Sequence, residues 1–138
     1  MKRLSFFALS IFLSVTICIS FAGKVFSQET EQLQVTDSAI CLDIVDRECT
    51  GAATNFPASV GKLYCLTKIV GANNPTQITH VWYYGHTERA RITLGVRTVN
   101  WRTYSSKLIQ VHEIGDWHID VLGPKDEFLK VIQFEIGP

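Results

Sequence analysis

From Ser38 onward, apolar and polar side chains alternate with a period of two, and turn-forming residues break the alternation at short intervals. Strands are predicted at 38–46, 62–69, 77–85, 89–97, 101–110, 116–122 and 128–136. Gly71, Asn73, Asn74 and Pro75 mark one turn, Gly85-His86 the next, and Gly123-Pro124-Lys125-Asp126 the last. Ala90, Ile92, Leu94 and Val96 share one face, while Arg91, Thr93, Gly95 and Arg97 share the other; Trp117, Ile119 and Val121 likewise oppose His118 and Asp120. Strands with one dry and one wet face belong to antiparallel sheets packed on a common core. No helical period intervenes. The expectation is an all-β domain of about seven antiparallel strands, an immunoglobulin-like or fibronectin-like sandwich, with a small β-barrel as the alternative.

The N-terminus departs from this pattern. Lys2-Arg3 precedes an apolar run from Leu4 to Ala22, and the polar stretch Ser27-Gln28-Glu29-Thr30 follows. That is the order of a secretory signal peptide, assigned to residues 1–27. The run approaches the length that spans a bilayer, so an uncleaved anchor is the alternative. Either way the positive flank places the rest of the chain outside the cytoplasm, periplasmic or secreted, and membrane association requires that the segment be retained. Cys18 lies between Ile17 and Ile19, not in a lipid-attachment context. Residues 28–37 are polar and read as a flexible tether, leaving 38–138 as the single domain.

Cleavage after residue 27 changes the charge balance. It removes Lys2, Arg3 and Lys24, leaving 10 basic residues against 13 acidic ones in place of the neutral total. Nucleic acid is excluded as a partner, because phosphate binding needs a basic surface.

Several blocks together carry a family resemblance: Ala39-Ile40-Cys41, Asp46-Arg47-Glu48, Leu63-Tyr64-Cys65-Leu66-Thr67, Ile78-x-His80-Val81-Trp82-Tyr83-Tyr84, Trp101 to Lys107, Gly115-x-Trp117 and Phe134-x-Ile136. From about Ala39 to Ile136 the chain resembles the bacterial domain of unknown function 2914 family. Cys49 stands where that pattern has proline, and Leu66 where it has phenylalanine. The resemblance implies a bacterial envelope protein and supplies no activity or catalytic residues.

Three cysteines follow the signal segment. Cys41 and Cys65 lie on the first two predicted strands and are the favoured disulfide, with Cys41–Cys49 as the competing pair. The odd cysteine is either a buried small hydrophobe or a handle for intermolecular pairing.

Candidate chemistry is sparse. His80, His86, His112 and His118, even with Cys65 or Asp120, match no metal-binding spacing, so no metal or cofactor is expected. Ser105 and Lys107 share a strand face, a nucleophile-and-base arrangement, but G-x-S-x-G is absent and the lysine lies at a strand end where desolvation is poor. The remaining constellation is aromatic and cationic. It comprises Trp82, Tyr83, Tyr84, Trp101, Tyr104 and Trp117 with Arg89, Arg91, Arg97 and Arg102; alternation assigns Arg89, Arg91 and Arg97 to one wet face. Such a surface stacks rings and grips anions through guanidinium forks. The ligand-binding candidates are His80, Tyr83, Arg91, Arg102, Tyr104 and Lys107, with no catalytic residue assigned. The leading expectation is a non-catalytic binding domain for a glycan, an envelope component or a protein partner. The alternatives are a small hydrolase using Ser105 or Ser106 and a structural module that dimerises through an edge strand or free cysteine.

Overall fold

The computed structural model describes Gly23 and residues 32–138. The expected leader, Gly23 apart, and residues 28–31 of the expected tether lie outside the described residues. Ten strands and no helix follow: β1 Gln34–Cys41, β2 Asp43–Val45, β3 Glu48–Thr50, β4 Asn55–Pro57, β5 Lys62–Val70, β6 Thr76–Tyr84, β7 Thr87–Val96, β8 Asn100–Leu108, β9 Gly115–Leu122 and β10 Phe128–Gly137. The strand β1 starts at Gln34, so residues 34–37 of the expected tether are paired strand, with Gln34 opposite Val70. Gly71 sits where this entry passes: a Cβ there would lie 2.4 Å from the Gln32 carbonyl oxygen, at a φ of +99°. Only glycine fits both conditions.

The strands form a sandwich, not a barrel. One sheet has the order β1-β5-β8, the other β4-β10-β9-β6-β7, and β2-β3 is a separate hairpin. All pairings are antiparallel except that of β4 with β10. The pairs β5–β8, β6–β9 and β9–β10 reproduce the B–E, C–F and F–G neighbours of an immunoglobulin-like sandwich, and Trp82 fills the position of its buried strand-C tryptophan.

The alternation read from the sequence sets the core. Leu63, Cys65 and Ile69 of β5 meet Ile78 and Trp82 of β6, Trp117, Ile119 and Val121 of β9, and Ile132, Phe134 and Ile136 of β10. Phe134 is the aromatic junction, with ring centroids 6.1 Å from Trp82, 5.8 Å from Trp117 and 6.4 Å from Phe56. Such pairs add about 1 kcal/mol each beyond the area they bury.

Within this apolar layer runs one polar relay that joins the sheets. Trp82 Nε1–H donates to Ser105 Oγ at 3.0 Å, Ser105 Oγ lies 2.7 Å from His80 Nδ1, and His80 Nε2 lies 3.1 Å from Thr67 Oγ1. Thr67 Oγ1 donates in turn to the Thr103 carbonyl at 3.4 Å. A carbonyl only accepts, so the Thr67 proton goes there and His80 Nε2 must be the protonated nitrogen; Nδ1 then accepts from Ser105. Each donor is used once and no member of the relay is left unpaired. The imidazole is fully buried, and burial pushes its pKa from 6.5 down to about 4, so it is neutral at physiological pH.

Two outcomes follow. Because the unfolded chain binds a proton near pH 6.5 that folded His80 refuses until about pH 4, stability rises with pH across that window. Urea denaturation should lose roughly 3 kcal/mol between pH 7 and pH 4, the first part of it above the range where carboxylates titrate; a flat profile from 7 to 5 would contradict a buried neutral His80. Ser105→Ala strands the Trp82 N–H and His80 Nδ1 in the core and should cost about 2 to 3 kcal/mol in the same measurement.

A cationic groove on the three-stranded sheet

Because Ser105 is committed to the core, strand alternation turns its neighbours outward. Trp101, Thr103, Ser105 and Lys107 point toward the sandwich interior, and Arg102, Tyr104, Ser106 and Leu108 toward solvent. On the outer face of this sheet, Lys68 of β5 stands opposite Arg102, with Asp37 of β1 beyond it; Leu66 stands opposite Tyr104, with Ala39 beyond; Tyr64 stands opposite Ser106, with Cys41 beyond.

The hairpin β2–β3 folds onto this face. Its turn, Asp46-Arg47, has φ of 51° and 62°, the two left-handed residues of the tight hairpin turn whose twist suits antiparallel strands. Cys41 and Cys49 are joined by a disulfide with Cα atoms 5.6 Å apart. This corrects the favoured pairing of Cys41 with Cys65. The residue opposite Cys65 is Ile40, while Cys41 is opposite Tyr64, so the two thiols point to opposite faces of the sheet. Cys65 is a buried small hydrophobe, its thiol pushed up by burial and inaccessible for intermolecular pairing.

Two adjoining cavities that share Leu66 and Arg102 lie beside the hairpin, the first on the outer face of the sheet and the second around the β8 edge, where the inward-facing Trp101 and Thr103 also line it together with Gly95 and Arg97 at the end of β7. The smaller, about 170 Å³, is bordered by Asp37, Glu48, Cys49 and Lys68. The larger, about 300 Å³, is bordered by Arg47, Arg97, Trp101 and Tyr104, and no carboxylate lines it. Arg47 lies over the Trp101 ring with its guanidinium carbon 5.6 Å from the centroid. Arg102 reaches Glu48 at 3.6 Å, but both side chains are exposed, and such a pair contributes little. Among the described residues no carboxylate lies within ion-pair distance of Arg97 or Lys68. Tyr104 is 48% exposed and packs edge-on to Tyr64, offering a ring beside the cations.

The candidates from sequence therefore separate. Arg102 and Tyr104 meet in this groove, together with Arg97 of the same constellation. His80 is in the relay. Tyr83 and Arg91 lie on the outer face of the other sheet, where Tyr83 stacks on His118 at 4.7 Å and Arg91 is held by Glu88 at 2.7 and 3.1 Å. Lys107 sits at the strand end, its Nζ donating to the Leu108 carbonyl, so it does not engage the Ser105 hydroxyl on its own face. Ser106 is exposed on the outer face. Arg89 does not share a face with Arg91 and Arg97. It is the extra residue of a bulge, since Trp82 pairs with Ala90 and Tyr83 with Glu88, and it turns to the buried Glu113. Burial alone would raise the Glu113 pKa, but the Gln110 N–H at 2.9 Å, the Arg89 guanidinium and the charge of Lys107 together hold it below the usual carboxylate value. Among the described residues no group of three His, Cys, Asp or Glu is placed to hold a metal.

Arg47, Lys68 and the hairpin escaped the sequence reading. The Asp46-Arg47-Glu48 block marked the region, but nothing in a single chain gives the fold-back that carries Arg47 to Trp101.

Arg97 faces two other arginines without a counterion. Arg97→Gln should therefore stabilise the domain by about 0.5 kcal/mol at low ionic strength, a gain that fades near 1 M salt; urea denaturation at both salt levels checks this, and destabilisation at low salt would contradict it.

Comparison with curated proteins gives no match. A family described as protein of unknown function, DUF2914, matches residues 75–136, which run from the start of β6 through β10 and include Arg97, Trp101, Arg102 and Tyr104. Over this span the chain is similar to the DUF2914 family of proteins of unknown function.

Proposed function

We propose that this protein is a non-catalytic binding domain that takes an anionic, ring-bearing ligand, an acidic glycan of the envelope, in the groove between the β2–β3 hairpin and β8. The supporting observation is the convergence of Arg47, Arg97 and Arg102 on one cavity with Trp101 and Tyr104 and without a lining carboxylate. Guanidinium forks bind carboxylates and sulfates bidentately, and the adjacent rings supply a stacking face for a sugar. Residues 38–138 carry 10 basic and 10 acidic residues, so the attraction is local to the groove and not a property of net charge. The Cys41–Cys49 disulfide is consistent with a location outside the cytoplasm, where such ligands occur.

The hydrolase alternative has one observation in its favour, the Ser105–His80 distance of 2.7 Å. Yet Ser105 is 4% exposed, and its hydroxyl accepts from Trp82 while donating to His80. A nucleophile needs access to a reacting carbon and a base that takes up a proton near working pH; this pair has neither feature.

Trp101 gives the test. It is the half-buried tryptophan, whereas Trp82 and Trp117 are fully buried, so a ligand in the groove changes Trp101 emission alone. Titration of the full chain with trigalacturonate should change the emission saturably, a neutral trisaccharide should not, and Arg102→Ala should weaken binding about ten-fold. No change with trigalacturonate, or equal response to the neutral sugar, would contradict the proposal.

A further inference from the structure

We propose that the Cys41–Cys49 disulfide is a redox clasp that holds the β2–β3 hairpin over the groove, so that its reduction dismantles the wall carrying Arg47. As a statement about ligand affinity this rests on the groove being the binding site; as a statement about the hairpin it stands on the geometry alone.

The hairpin has few other attachments. Its two strands pair only with one another, and outside the sheet ladders the Ala53 N–H to Ile40 carbonyl bond at 3.1 Å secures its base. Its apolar side chains contribute little, because Leu42 is 50% and Val45 51% exposed and Ile44 is only half-buried. Beyond its packing on β1 and β5, the hairpin makes the Arg47–Trp101 stack, the Arg102–Glu48 pair at 3.6 Å and a 3.5 Å approach of Arg102 to the Arg47 carbonyl, all three at the surface. Both turn residues, Asp46 and Arg47, adopt left-handed backbone without being glycine.

The chemistry is that of thiol–disulfide exchange. Cys41 is fully buried and Cys49 half-buried, so an attacking thiolate reaches the Cys49 sulfur. A dithiol reductant forms a mixed disulfide there and expels the Cys41 thiolate, which takes a proton. The second thiol of the reductant then closes its own disulfide and releases Cys49, so two electrons and two protons pass to the protein. Cys65, buried on the opposite face, cannot intercept either step, and oxidation restores the same pair.

The test compares the full chain before and after treatment with dithiothreitol, and the Cys41→Ser/Cys49→Ser double variant, by NMR. The amides of residues 43–50 should be as rigid as β5 in the oxidised protein and should gain fast motion when reduced, while the amides of β5, β6 and β9 stay protected, which shows that the fold survives. Trigalacturonate affinity should fall about ten-fold on reduction, as expected for loss of one guanidinium contact. Unchanged hairpin relaxation on reduction overturns the clasp. A mobile hairpin with unchanged affinity overturns its control of the groove. Absence of binding even in the oxidised state sinks the groove reading instead, and the relaxation data then decide the clasp.

Discussion

The neutral imidazole of His80 is the constraint on which the arrangement of this sandwich depends. It is a polar side chain at the centre of an apolar layer, and its burial is tolerable only because both ring nitrogens are paired, one to Thr67 of β5 and one to Ser105 of β8. That requirement fixes the facing of β6 against two strands of the opposite sheet at once. A slip of one residue on β8 would replace Ser105 by Tyr104 or Ser106 and turn the hydroxyl to solvent, leaving both His80 Nδ1 and the Trp82 N–H unsatisfied. Hydrophobic burial drives the two sheets together, but it is largely indifferent to register. The relay is not.

The outer surface inherits this choice. With Ser105 inward, Arg102 and Tyr104 must point outward, and the β5 register places Lys68 and Leu66 beside them. Arg47, Arg97 and Arg102 gather around one exposed counterion, Glu48 at 3.6 Å from Arg102, whereas Arg89 is held by the buried Glu113. The hairpin completes the groove by a covalent link where packing alone would not hold it.

Much of the frame was legible in the chain. Period-two alternation made most of the strands legible, whereas β6 is buried on both faces from Ile78 to Trp82, and His80, a ligand-binding candidate by sequence, lies inside with those two core residues. Three things were hidden. β2, β3 and β4 are three residues long and show no period. The cysteine pairing depends on a one-residue difference in register between Cys41 and Cys65, which no single strand records. The bulge at Arg89 breaks the parity that otherwise assigns faces, so three arginines that read as one wet face serve three different surroundings. Of the site candidates, Arg102 and Tyr104 come from the aromatic and cationic constellation and share the outer face of β8; the placement of Arg47 and Lys68 beside them is tertiary.

Ser105 and His80 form a structural pin, and the proposed ligand groove lies along the outer face and edge of β8. The most direct measurement is the nitrogen-15 shifts of the His80 ring at neutral pH, which separate the two neutral tautomers from the imidazolium. The account predicts a neutral ring protonated at Nε2, unchanged down to about pH 5. A ring protonated at Nδ1, or one that titrates near its ordinary pKa of 6.5, would contradict it and would return Ser105 to consideration as an activated hydroxyl.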